Sequence, residues 1–172
     1  MKRTLLIAAT LLLAAACHQS PNRDKAIDEI RTAEKALSQL NIVTDEQRAH
    51  DLIALYQHFA DNFPEDSLAP VYLQKSADIS LNLGDYEQAL TILDTLIAQY
   101  PGYEDIAGCV FLKGQAYENN EQYDLARQTY TQFVTDYPDH VLAPDTRKML
   151  PYVGLAPEEM LEAILAASAT EQ

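Results

Sequence analysis

The chain has 172 residues, with 26 acidic residues against 12 basic ones and a formal net charge of −14, so its length allows one ordinary domain. This charge excludes nucleic acid as a partner, because phosphate binding needs a basic patch. Hydrophobic residues make up 48% of the chain, which is enough for a core and excludes global disorder.

The first sixteen residues are predicted to be a secretory signal peptide. Lys2 and Arg3 precede an apolar run over residues 5–16, which only Thr10 interrupts. As a helix this run rises about 18 Å, short of the roughly 30 Å of a bilayer core. We therefore expect residues 1–16 to be removed as a leader and not to remain as a membrane span.

Cys17 follows the letters LAAA, a pattern that resembles the lipobox of bacterial lipoproteins. The resemblance implies lipidation of Cys17, with residues 17–23 forming the lipidated end and a short tether. His18 stands where an Asp would retain such a protein in the inner membrane, so the resemblance implies the periplasmic face of the outer membrane. The alternative is an ordinary signal peptide with a chance Cys. Loss of the two basic leader residues would change the net charge from −14 to −16.

A 37-residue repeat occupies the following part of the chain. Small residues, aromatic residues and aromatic–proline pairs recur at this spacing, as in Ala77 and Gly114, Ala89 and Ala126, Tyr86 and Tyr123, and the pairs Phe63-Pro64, Tyr100-Pro101 and Tyr137-Pro138. Apolar residues recur at helical spacing on both sides of a turn at Gly84-Asp85. Each unit is therefore predicted to consist of two helices that a proline ends.

This pattern of small residues, turn aromatics and closing prolines resembles the tetratricopeptide repeat family. Its spacing also resembles the tetratricopeptide lipoproteins of outer-membrane β-barrel assembly and the Tol–Pal-associated proteins. The resemblance implies an all-α, right-handed solenoid of antiparallel helix pairs, with about eight helices and no strands. The domain is expected over residues 24–172, with units at 24–64, 65–101 and 102–138 and a degenerate cap at 139–172.

The two ends of the solenoid are expected to depart from the repeat. In the first unit, helix 24–41 packs on helix 45–63, which begins after an N-cap at Thr44. In the cap, a first helix at about 142–150 is cut short by Pro151. The terminal helix 157–169 places Ala163 in the register of Ala126, 37 residues earlier, and is predicted to be the last second helix.

The family resemblance implies that the first helix of each pair lines an inner groove that contacts a ligand. Carried onto this sequence, the contact positions are Leu37, Asn41, Gln74, Asp78, Leu81, Phe111, Gln115, Glu118 and Asn119. An acidic, amide-bearing groove suits a neutral or basic protein or peptide segment. The alternative is that these positions are only the solvated faces of amphipathic helices.

No motif for catalysis, a metal or a cofactor stands out in the sequence, so we expect none of the three. His50 and His58 fall on positions that are solvated in the other units. Cys109 is predicted to be a small buried hydrophobe, with a redox-sensitive thiol as the alternative. Tyr103 and Tyr152 fall outside the repeat register and are either interface anchors or loop packing.

The expected function is that of a non-catalytic, lipid-anchored periplasmic adaptor. It would bind a partner in an envelope complex for outer-membrane protein assembly or secretion. The alternative is a structural protein of envelope integrity, or one linked to the cell wall, of the Tol–Pal-associated type.

Overall fold

The computed structural model describes residues 22–38 and 45–170. Within these residues it contains eight α-helices, one short 3₁₀ helix at Leu150–Tyr152 and no strand, which confirms the all-α prediction. The helices are α1 (Arg23–Ser38), α2 (Glu46–Asn62), α3 (Leu68–Leu83), α4 (Tyr86–Gln99), α5 (Ile106–Asn119), α6 (Tyr123–Asp136), α7 (Ala143–Met149) and α8 (Pro157–Thr170). The predicted leader, Cys17, Asn41 and Thr44 lie outside the described residues.

Each helix from α1 to α6 packs against the next α-helix in the chain, α7 packs against α6 and the 3₁₀ helix, and α3 also contacts α5. Stacking of neighbouring helix pairs in this way is the packing of an α-solenoid. The core is correspondingly a row of clusters between successive helices. Fully buried residues at their centres include Ile30 and Phe59 in the first cluster, Ala77 and Leu93 in the next, and Phe133 and Tyr130 in the last two.

The aromatic–proline pairs end the second helices in the same way in all three units. The backbone angles of the aromatic residues are nearly identical, at φ −133° and ψ 56° for Phe63, φ −125° and ψ 56° for Tyr100, and φ −124° and ψ 58° for Tyr137. The residue before a proline avoids the helical region, and the proline itself has no N–H for the helix. The 37-residue spacing therefore appears as a repeated backbone geometry.

The turns inside the pairs α3–α4 and α5–α6 each place one residue in the left-handed region. Gly84 has φ +78°, which confirms the predicted turn, and its equivalent 37 residues later is Glu121, with φ +57°. Asp85 caps α4 by accepting a hydrogen bond from the Gln88 backbone N–H at 3.3 Å, whereas Gln122 makes no such side-chain cap on α6. The third unit therefore makes the same turn without glycine, at a cost of about 1–2 kcal/mol.

Replacement of Glu121 by glycine is expected to stabilise the fold by about 0.5–1 kcal/mol. Relief of the left-handed strain exceeds the additional backbone entropy that glycine loses on folding. Urea unfolding followed by circular dichroism measures the difference. The control is Glu87→Gly in the first turn of α4, where the backbone is helical and a loss of up to about 1 kcal/mol is expected. An equal loss in both variants would contradict the prediction.

The start of α2 differs from the prediction in the identity of its N-cap. Asp45, and not Thr44, is the N-cap, and its side chain accepts a hydrogen bond from the Arg48 backbone N–H at 3.3 Å. The carboxylate also pairs with the Arg48 side chain at 2.9 Å. An ionised cap of this kind interacts favourably with the helix dipole as well as with the unpaired N–H group.

The C-terminal cap also differs from the prediction. Helix α8 has nearly the predicted bounds, but it forms no extensive packing contact with any other described helix. Ala163 is half-buried, whereas Ala126 is fully buried. Helix α7 has only seven residues before the 3₁₀ helix at Pro151, and Val153 packs on Ala126 and Tyr130 in its place. A complete last pair is therefore not formed, because α7 is too short to offer a full face and Val153 already covers α6.

Candidate functional site

Two polar links hold the first helices α1, α3 and α5 side by side. Lys75 Nζ on α3 lies 2.6 Å from Glu34 Oε1 on α1, and Gln74 Nε2 donates to Oδ2 of Asp105, the N-cap of α5, at 2.7 Å. We call the surface along these three helices the first-helix face. It carries the predicted contact positions of α3 and α5 on neighbouring helices.

At the α1 end of this face, Leu37 is only 5% exposed and packs in the cluster between α1 and α2. Its assignment as a contact residue is therefore corrected, because its side chain is part of the core. Glu34, which the sequence analysis missed, accepts a hydrogen bond from Tyr56 Oη at 2.7 Å and pairs with Lys75. Burial raises the pKa of Glu34, but the hydrogen bonds from Lys75 and Tyr56, together with the charges of Lys75 and Arg31, hold the pKa below the usual value.

The middle of the first-helix face carries Gln74, Asp78 and Leu81, all three half-buried. Both ends of the Gln74 amide are engaged, since Oε1 accepts from Tyr103 Oη at 2.6 Å and Nε2 donates to Asp105. Tyr103 thus serves loop packing, one of its two predicted roles. Burial, and then the charge of Asp105, raise the pKa of Asp78.

Replacement of Asp78 by asparagine is expected to stabilise the protein at neutral pH. A raised pKa means that the folded state binds the proton more tightly than the unfolded chain, so the ionised carboxylate is destabilising. This penalty is present above the folded-state pKa and disappears as the pH falls below the unfolded value of about 3.9. Thermal unfolding across this range should show the variant's advantage shrinking as the pH falls. Asp28→Asn, at an exposed ion pair, serves as the control, and an advantage independent of pH would contradict the prediction.

Cys109 is a fully buried free thiol on α5, in the cluster that α2, α3, α4 and α5 form together. Burial, followed by the charges of Asp105 and Asp78, raises the pKa of this thiol to about 12. Since the thiolate is the reactive form, both the burial of Cys109 and its raised pKa disfavour reaction of this thiol at neutral pH. This agrees with its predicted role as a small buried hydrophobe.

The C-terminal end of the first-helix face opens into a cavity of about 220 Å³, which we call the α5 cavity. Three predicted contact residues line it, namely Phe111, Gln115 and Glu118, and the other lining residues are Tyr130, Met149, Tyr152, Val153 and Met160. Asn119 is exposed at the end of α5 and does not line the cavity. The structure therefore brings three of the nine predicted positions into one concave site.

The residues of the α5 cavity differ in how much of the fold they support. The Phe111 ring lies 5.5 Å from the rings of both Tyr130 and Phe133, so it joins α5 to α6. Glu118 Oε2 accepts a hydrogen bond from Tyr130 Oη at 2.8 Å. Gln115 is therefore the better probe of binding, because its replacement leaves these aromatic contacts intact.

The lining residues that come from the C-terminal cap were not among the nine predicted contact positions. Tyr152, whose position outside the repeat register was noted, lines the α5 cavity with Met149 and Met160. Only that irregular position signalled a role. The two methionines carried no signal, since a methionine at helical spacing is ordinary core material.

No helix in the described ranges 22–38 and 45–170 is long and apolar enough to cross a bilayer. In the same part of the chain, no three His, Cys, Asp or Glu side chains are grouped to hold a metal ion. His50 and His58 are both exposed, as predicted from their register.

Two segments of the chain match the tetratricopeptide repeat family, at residues 72–103 and 109–140. They begin 37 residues apart and cover most of the pairs α3–α4 and α5–α6. The search of curated proteins found no match to the chain. The family matches and the stack of adjacent helix pairs support a tetratricopeptide repeat protein whose repeats form a protein-interaction module.

Proposed function

We propose that this protein is a non-catalytic, lipid-anchored adaptor of the periplasm that docks a protein or peptide segment on its first-helix face. The observation that carries the proposal is the α5 cavity. Its wall contains the Gln115 amide and the Glu118 carboxylate together with aromatic side chains, which are Phe111, Tyr130 and Tyr152. A concave, largely apolar site with a few polar groups is typical of a binding site. The partner would belong to an envelope complex, in outer-membrane protein assembly or secretion.

The charge of the face supports a neutral or basic partner. Asp78, Asp105 and Glu118 lie along it, whereas the Lys75 ammonium group is paired with Glu34, and the chain has a net charge of −14. Complementary charge speeds encounter and makes binding sensitive to salt. We therefore expect co-purification with the envelope complex to weaken as the salt concentration rises.

The docking surface is tested by Gln115→Ala, since Gln115 is half-buried in the cavity wall and outside the aromatic contacts. Chemical crosslinking in the native envelope, followed by quantitative mass spectrometry, should show several-fold less of the main partner. The control is Gln128→Ala, at an exposed position on α6. Equal recovery of the partner with both variants would contradict docking at the α5 cavity.

The anchor is tested separately at Cys17. Cells fed a palmitate analogue that carries a chemical tag should incorporate it into the wild-type chain and not into Cys17→Ala. Mass spectrometry of the purified wild-type protein should also find a diacylated Cys17 at the new N-terminus. Labelling that persists in Cys17→Ala would contradict the proposed anchor.

A further inference from the structure

Helix α8 exposes a group of large apolar side chains on one side. Met160, Leu161 and Ile164 are 38%, 58% and 45% exposed, and their spacing of one, three and four residues places them on a common strip of the helix surface. We call these three residues the α8 stripe. Single exposed hydrophobes are ordinary, but a contiguous apolar strip marks an interaction site.

The α8 stripe continues the first-helix face at its C-terminal end. Met160 lines the α5 cavity together with Phe111 and Gln115, so the stripe begins where the cavity ends. Helix α8 has no extensive packing contact with any other described helix. A solenoid buries its apolar faces by stacking one helix on the next, and no described helix is stacked on the α8 stripe in this way.

The charge around the α8 stripe is negative. Glu158, Glu159 and Glu162 lie on the same helix, which contains no Lys or Arg. Glu118 adds a further carboxylate at the wall of the α5 cavity. These charges oppose a second copy of this acidic chain and an anionic bilayer surface, and they favour a partner that carries Lys or Arg.

We propose that the α8 stripe docks a basic amphipathic helix of a partner protein. Its apolar residues at helical spacing would pack along the stripe, while flanking Lys or Arg side chains would meet the glutamates of α8. A helix suits this surface because it satisfies its own backbone hydrogen bonds, and α8 offers no strand edge to an extended segment. The inference rests on the proposed function and names the chemistry of the partner at the end of the same face.

The test uses the purified full chain and designed helical peptides as probes. The first peptide has leucines at positions i, i+3, i+4 and i+7 with lysines beside them, and the second has glutamates in place of the lysines. We expect the lysine peptide to bind at least about tenfold more tightly, as measured by fluorescence anisotropy, and to weaken with added salt. Equal binding of the two peptides, or no binding of either, would overturn the proposal.

The site is located with the double variant Leu161→Ser and Ile164→Ser. Both residues are exposed, so the melting temperature should be unchanged, while the affinity for the lysine peptide should fall about tenfold or more. The matched control replaces Leu125 and Val141, which are 42% and 82% exposed elsewhere on the surface, with serine. An equal loss of affinity in both double variants would overturn the assignment to α8.

Two alternative occupants are measured in the same samples. Sedimentation should show a monomer in wild type and stripe variant alike, and a dimer that the stripe variant abolishes would assign the surface to a second copy. Binding to phosphatidylglycerol vesicles should be equal in both proteins, and a loss in the stripe variant alone would assign it to a membrane. Either result overturns the proposal.

Failure of this inference is distinguishable from failure of the proposed function. Full binding of the lysine peptide by the stripe variant, with loss of the natural partner in Gln115→Ala, would overturn the α8 site and leave the α5 cavity. Loss of lysine-peptide binding in the stripe variant, with full recovery of the natural partner in Gln115→Ala, would support the α8 site and contradict docking at the cavity.

Discussion

Replacement of Phe133 by alanine is expected to destabilise the fold by about 3–5 kcal/mol, the usual cost of removing a fully buried ring. Phe133 is 0% exposed, and its ring lies 5.5 Å from that of Phe111, 6.1 Å from that of Tyr137 and 5.2 Å from that of His140. It therefore joins α5, α6 and the following linker. The loss would also leave Phe111 without one of its two ring contacts in the wall of the α5 cavity.

Urea unfolding followed by circular dichroism measures this loss, and amide hydrogen exchange locates it. Protection should fall most in α5 and α6, because a solenoid transmits a defect mainly to neighbouring helices. Val141→Ala, at a position that is 82% exposed, is the control and should change stability by less than about 0.5 kcal/mol. A cost below about 1 kcal/mol for Phe133→Ala would show that the ring is not a core element.

Replacement of Gly114 by alanine is the second large effect that we expect, a loss of about 1–2 kcal/mol. A Cβ atom at this position would lie 2.5 Å from Cε1 of Tyr130, whose ring is fully buried. Overpacking of this kind costs about 1–3 kcal/mol, and the better helix propensity of alanine offsets up to about 1 kcal/mol of it. Gly102→Ala is the control, because no atom lies within 4 Å of its added Cβ.

The preceding repeat provides a rescue for Gly114→Ala. At the equivalent positions 37 residues earlier it has Ala77 and Leu93, both fully buried in one cluster. In that repeat alanine stands in place of Gly114, and the smaller leucine stands in place of Tyr130. Gly114→Ala combined with Tyr130→Leu reproduces that pair, and the double variant should lose less stability than the sum of the two single variants. Strict additivity would show that the two positions do not share one packing constraint.

The repeat itself was predictable from the sequence because its signals are local. Proline after an aromatic residue ends a helix wherever it occurs, and apolar residues at helical spacing define a buried side whatever the neighbouring helix is. The three equivalent helix ends at Phe63, Tyr100 and Tyr137 followed from these rules. The left-handed turn residue was less predictable, because Glu121 adopts the same conformation as Gly84 although it is not a glycine.

The candidate site was predictable only in part. The family register placed Phe111, Gln115 and Glu118 on one helix face, and they do line a common cavity. The same register counted Leu37 as a surface residue, although it is buried between α1 and α2. A register states which side of a helix a residue occupies, but burial depends on how closely the next helix approaches.

The sequence by itself determined the helix pairs, their 37-residue period and the acidic character of the chain, since each depends on residue type and spacing alone. Only the tertiary structure decided that Gly114 accommodates the Tyr130 ring, that Val153 covers the end of α6, and that α8 lies apart with its apolar stripe exposed. These features depend on the length of α7 and on the space left between helices. Local propensity does not specify them, because they are set by contacts between residues that are distant in the chain.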